Sequence, residues 1–183
     1  MITYFRTLAH ANRLANHRLH VACAQLAEDD FRAARTGFFP SLHDTLNHIL
    51  TVDWYYLAAL HGEVDQRNAF AVRHPFHDMA SLAAAQVAVD ERLIAWCAKA
   101  SEALLEERVR LERADEAKSE HVGYMLMHLF THQIHHRGQA HAMLAGTHVK
   151  PPQLDDFIMP SDAPFRTHDL AALGWSEADL YHR

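Results

Sequence analysis

The stretch that decides the fold is Ser119–Leu144, SEHVGYMLMHLFTHQIHHRGQAHAML. At about 100° per residue, Val122, Met125, Leu126, Leu129, Ala140, Met143 and Leu144 fall on one broad apolar arc, the pattern of a core-facing helix. No proline interrupts it. Ser119 reads as its N-cap, with Glu120 in the first turn, and Gly146 suits the C′ position. A helix of this kind draws most of its stability from partners that bury the arc. It also concentrates histidine: His132, His135, His136 and His141 lie within ten residues, with His128 one turn earlier.

Three more long helices supply the partners. The first is expected over about 4–27. The second starts at Ser41, an N-cap with Asp44 three residues on, and runs to Leu60, where His61 and Gly62 stop it. After a loop over 63–77, Asp78 or Ser81 opens the third, which continues through LAAAQVAVDERLIAWCAKA. The segment LLEERVRLERADE either prolongs that helix or makes a short extended excursion. The prolines in THVKPPQLDDFIMPSDAPF break any helix there, and SEADLYHR suits a final short helical turn. The expectation is an all-α fold: a four-helix bundle over about 1–146 and an irregular, ordered tail over about 147–183, in one domain spanning 1–183.

Composition narrows the function. The formal net charge of -6 argues against a general nucleic-acid-binding role. Cys23 and Cys97 form no CxxC pair and read as small apolar residues. The N-terminus lacks the apolar run of a secretion signal, and no stretch reaches the ~18 apolar residues that span a membrane. A cytoplasmic protein is expected. Histidine is the anomaly, with 17 in 183 residues, so position rather than residue type must sort candidates from surface groups.

On the last long helix His132 and His136 lie at the edge of the apolar arc and within it. They are one turn apart and can share a metal ion. His128 and His135 are turned further away, and His141 lies opposite His132. In the second helix His48 is flanked by Val52, Tyr55 and Ala59, whereas His43 and His61 lie on another side. Asp44, one turn before His48, suits a further oxygen ligand or an outer acceptor for its imidazole. On residues alone, each of these histidines is either a ligand or an ordinary core or boundary group. Trp54, Tyr55, Tyr56 and Trp96 read as core.

HQIHHRGQAHAML resembles the HxxxHRGQ signature of the DinB-like (DinB/YfiT) metalloenzyme family. LNHILTVDWYYLAAL is similar to that family's second-helix motif, a histidine followed by an acid and a tryptophan, and PPQLDDF resembles its proline-rich exit segment. The resemblance covers about residues 1–160 and implies a four-helix bundle holding a divalent metal on His48, His132 and His136. Arg137, Gly138 and Gln139 match its RGQ, with Gly138 expected to allow close helix approach and Arg137 to pair with a buried acid such as Asp53. The family's members commonly form homodimers, and some are thiol-dependent transferases or isomerases, or hydrolases.

Three imidazoles leave positions open on the ion for water or substrate, as in a catalytic site. Zinc and nickel suit such ligands best, and iron is compatible. The leading expectation is a metal-dependent S-transferase using a low-molecular-weight thiol, or a hydrolase, acting on a small molecule. Asp44, His128 and Gln139 are candidate outer groups. The alternative is a metal- or ligand-binding stress-response protein without turnover.

Overall fold

A computed structural model of the chain describes residues 1–155 and 158–181. Four long helices dominate: α1 (Ile2–Cys23), α3 (Leu42–Leu60), α4 (Met79–Lys99) and α6 (Val122–Ala145), with short helices α2 (Glu28–Arg32) and α5 (Glu102–Glu106) between them. Each long helix packs against two others, in the cyclic order α1–α4–α3–α6. The fold is all-α, with one small two-stranded sheet among the described residues.

The caps follow the local chemistry. The Ser41 hydroxyl accepts from the Asp44 backbone N–H at 3.0 Å, and the Asp78 carboxylate accepts from the Ser81 N–H at 2.8 Å, each satisfying an orphan donor of the first turn. Ser119 is not a cap. LLEERVRLERADE takes the extended alternative, with β1 (Arg108–Glu112) pairing antiparallel to β2 (Ala117–His121), so Ser119 faces Arg110 in the ladder and α6 begins only at Val122. Alternation explains it, because Val109 and Leu111 bury on one face while Arg108 and Arg110 stay exposed.

The tail is more helical than its prolines suggest, with α7 (Ala163–Leu173) starting just after Pro160 and α8 (Glu177–Tyr181) following. Fully buried Arg166 grips Glu177 through Nε at 2.9 Å and Nη2 at 2.6 Å, and Leu170 and Leu180 pack against Leu14 of α1. His141, on the outer side of α6, contacts the Pro152 carbonyl at 2.9 Å. The last two residues of PPQLDDF and of SEADLYHR lie outside the described residues. No helix is long and apolar enough to cross a membrane among the described residues, and both cysteines are free and buried.

The core is layered. At one end Phe5, Leu57, Leu93 and Phe130 form an apolar cluster; at the other Leu19, Leu46, Leu82 and Leu144 form a second. These memberships run α1 and α6 one way along the bundle and α3 and α4 the other. The parallel neighbours α3 and α4 therefore need a crossover, residues 61–78, along the bundle's length.

Between the clusters lies a buried polar layer to which all four long helices contribute. Gln86 and Gln133 both donate to Asp53 Oδ2, the first at 2.7 Å. Asp90 accepts from Asn16 at 3.0 Å and from Gln86 at 3.0 Å. Arg137 donates to the Asn12 and Asn16 side-chain oxygens at 2.6 and 2.8 Å. Arg137 thus does not pair directly with Asp53; Gln133 stands between them, and the guanidinium donates to Gln133 Oε1 at 3.3 Å. Gly138 allows no close helix approach, since a Cβ there would meet nothing within 4 Å.

Burial, reinforced by the nearby Asp90 charge, pushes the Asp53 carboxyl up to about 8. Its Oδ1 has no hydrogen-bond partner among the described residues. A raised folded-state pKa contributes stability that is fully present below the unfolded value and is lost as pH rises through the folded one. The stability of Asp53→Asn relative to wild type should therefore grow by about 4 kcal/mol between about pH 5 and pH 8.5, read from urea unfolding. An unchanged difference across that range would show that Asp53 is already ionised at the lower pH.

Candidate metal centre

His48 comes from the middle of α3, and His132 and His136 from successive turns of α6. The two helices pack together, and one ligand-capable nitrogen from each ring lies within 4.8 Å of the other two. His48 Nε2 and His132 Nε2 are 3.0 Å apart. Two nitrogens on one tetrahedral ion, each bonded at 2.0–2.1 Å, would stand about 3.3 Å apart, close to what this pair offers. Without an ion, one of the two nitrogens must carry a proton toward the other, because facing lone pairs repel. His136 is buried, and His48 and His132 are half-buried.

The donor set fits a metal electrostatically. Burial, then the neighbouring His136, lowers His48 to about 4. Burial and the surrounding imidazoles lower His132 to about 3, and burial also lowers His136. All three rings are neutral at pH 7, the form that binds metal. Gln139 Oε1 lies 2.8 Å from His136 Nδ1, and Gln139 Nε2 lies 3.1 Å from His135 Nε2. With the His136 proton on Nδ1, its Nε2 keeps a lone pair for a ligand. His132 Nδ1 is buried and has no partner among the described residues, so the outer support is complete at His136 and incomplete at His132.

The sequence candidates separate here. His128 stands beside the triad, its ring centroid 6.3 Å from that of His132 and 5.5 Å from Tyr56. Asp44 does not serve His48. Its carboxylate is held by the Ser41 hydroxyl and approaches His74 Nε2 at 2.7 Å. The start of α3 claims this acid because it completes the cap and straps the crossover. His43, Asp44 and His74 make a second group of closely placed donors, but His43 Nε2 already contacts the Phe76 carbonyl at 2.9 Å and Asn47 donates to the same oxygen at 3.0 Å. That group holds the crossover to α3.

Two features escaped the sequence reading. The loop before α3 lays Phe39 over the triad, with its ring 4.3 Å from His48 and 5.5 Å from His136; Phe38 beside it is 76% exposed. At Gly37 this loop passes against α6, where a Cβ would meet the end of the Met143 side chain. On the other side a cavity of about 370 Å³ opens, lined by His132, His128, Tyr55 and Tyr56 together with Arg67 and Arg113. Tyr55 and Tyr56, expected in the core, are buried and also form this wall. Neither phenylalanine nor arginine belongs to a periodic pattern, and only the path of the loops brings them here.

His48→Ala or His132→Ala should lower zinc affinity at least a hundredfold by isothermal titration, Gln139→Ala about tenfold, and Asp44→Ala not at all. Affinity should fall far less from pH 7 to 5 than the about 10⁴-fold that three unshifted imidazoles would lose, because these imidazoles are already depressed below their ordinary value. A loss of that larger size would mean that the rings charge normally before metal arrives.

A search of curated proteins returns no match to this chain. The family model described as DinB family matches residues 1–163. That span takes in all four long helices and each of the three histidines, and the chain belongs to the DinB family.

Proposed function

We propose that His48, His132 and His136 hold a divalent ion, zinc or nickel with iron also compatible, in a metal-dependent enzyme that performs thiol transfer or hydrolysis on a small molecule. A bound ion supplies Lewis acidity, lowering the pKa of a water or thiol at the site. The observation that carries this reading is the cavity: the triad reaches open space through His132 instead of being sealed in the core.

The chain's own residues have separable roles in this reading. Gln139 keeps the His136 proton on Nδ1, away from the shared centre. Phe39 covers one side of the triad and excludes water there. His128 lines the cavity next to His132 and is placed to take or give a proton within it. A low-molecular-weight thiol is the co-substrate in the transferase form of the proposal. The free, buried cysteines fit a reducing cytoplasm. A homodimer completes the reading, with Tyr124, Met127 and Ile134 offering exposed apolar surface on α6.

One observation favours the alternative of a stress-response protein that binds without turnover: among the described residues no carboxylate joins the triad's donor group. Zinc- or nickel-loaded protein screened with small thiols and activated acyl or alkyl substrates distinguishes the two. Turnover should require metal and fall at least a hundredfold in His48→Ala. Stoichiometric metal uptake with no turnover on any substrate selects the binding protein.

A further inference from the structure

The cavity beside the triad is built by parts of the chain that the metal ligands do not need. Gln66 opens a 3₁₀ turn over Gln66–Phe70 and is buried; its amide donates to the Arg110 carbonyl at 2.9 Å and accepts from the Glu112 N–H at 3.1 Å. This clamps the turn to the last residues of β1. The Tyr55 hydroxyl donates to the Glu112 carbonyl at 2.9 Å, tying the same residue to α3. Glu112 is therefore fixed from two sides, and Arg113 follows it directly. Arg67 follows Gln66, the other half of the clamp. Two rigid anchors thus each project a guanidinium to one cavity wall, and His132 forms another part of the wall.

The charge there runs against the rest of the chain. The protein carries a formal -6, yet the cavity wall holds two arginines against the single carboxylate of Glu112. Neither Arg67 nor Arg113 forms an ion pair among the described residues, and both are exposed. Arg113 acts electrostatically on Tyr56 and Tyr55, which places its charge beside the tyrosine wall of the cavity. Guanidinium groups present paired N–H donors that match the two oxygens of a carboxylate or phosphate.

We infer that this cavity is an oxyanion subsite, in which Arg67 and Arg113 receive the carboxylate or phosphate of a small substrate whose reacting end lies against His132. The second half rests on the triad being a metal centre; the first half does not. The sheet that interrupts the helical bundle thereby acquires a purpose, since it carries one of the two cations to the site.

The test uses the full chain, zinc-loaded and chelator-treated, with succinate, inorganic phosphate and the neutral dimethyl succinate titrated by calorimetry. Succinate or phosphate should bind and the diester should not, and whichever binds more tightly identifies the group. Arg67→Gln and Arg113→Gln should each weaken binding about tenfold without moving the melting temperature, because both side chains are exposed. No oxyanion binding, equal binding of the diester, or wild-type affinity in both variants overturns the subsite. Binding that disappears on chelation and ignores both arginines also overturns it, placing the oxyanion on the metal and leaving the metal centre standing. Arginine-dependent binding in a protein that takes up no zinc supports the subsite and removes the metal centre instead.

Discussion

The hydrogen bond from Gln133 to Asp53 is the contact on which the arrangement of this protein depends. It joins α6 to α3 in the centre of the core, where water cannot replace it. Its neighbours, Gln86 and Asp90 from α4 and Asn12 and Asn16 from α1, make the link four-sided. Apolar packing alone tolerates a helix that rotates or slips by part of a turn. A buried donor left without its acceptor costs about 1–3 kcal/mol, so this layer admits one rotation of α6. Gln133 and Arg137 each follow a histidine of the triad by one residue. Locking them toward the bundle axis turns His132 and His136 toward α3 and His48.

The centre therefore lies at the α3–α6 seam, level with the polar layer. The position explains its burial: deep enough to keep three imidazoles neutral, near enough to the surface for His132 to reach a cavity. The crossover over 61–78 encloses this region. It is strapped to α3 at Phe76 and clamped to the sheet at Gln66, so the segment between α3 and α4 forms one wall of the cavity rather than a loose connection.

Much of this was legible in the sequence, because the signals were local. Helix periodicity, the Ser41 cap and the histidine spacing of one turn are set by backbone geometry within a few residues. Ser119 misled because its capping signal is equally compatible with a turn, and strand pairing with Arg110, nine residues earlier, outweighs it. Asp44 misled for a related reason: it shares a helix side with His48, but the cap and His74 hold its carboxylate. Proximity along one helix shows which side chains can meet, not which neighbour wins them.

The sequence by itself determined the long helices and the all-α class, which follow from period and caps, and its family resemblance pointed to the three histidines that the fold brings together. Only the tertiary structure decided what surrounds the centre. Phe39 comes from the loop before α3, and Arg67 and Arg113 arrive from a 3₁₀ turn and a hairpin far apart in the chain. The physical reason is range. Helix formation and ligand spacing are settled within a turn or two, whereas a cavity wall is assembled by contacts such as Tyr55 with Glu112, which are fixed only when the whole bundle closes.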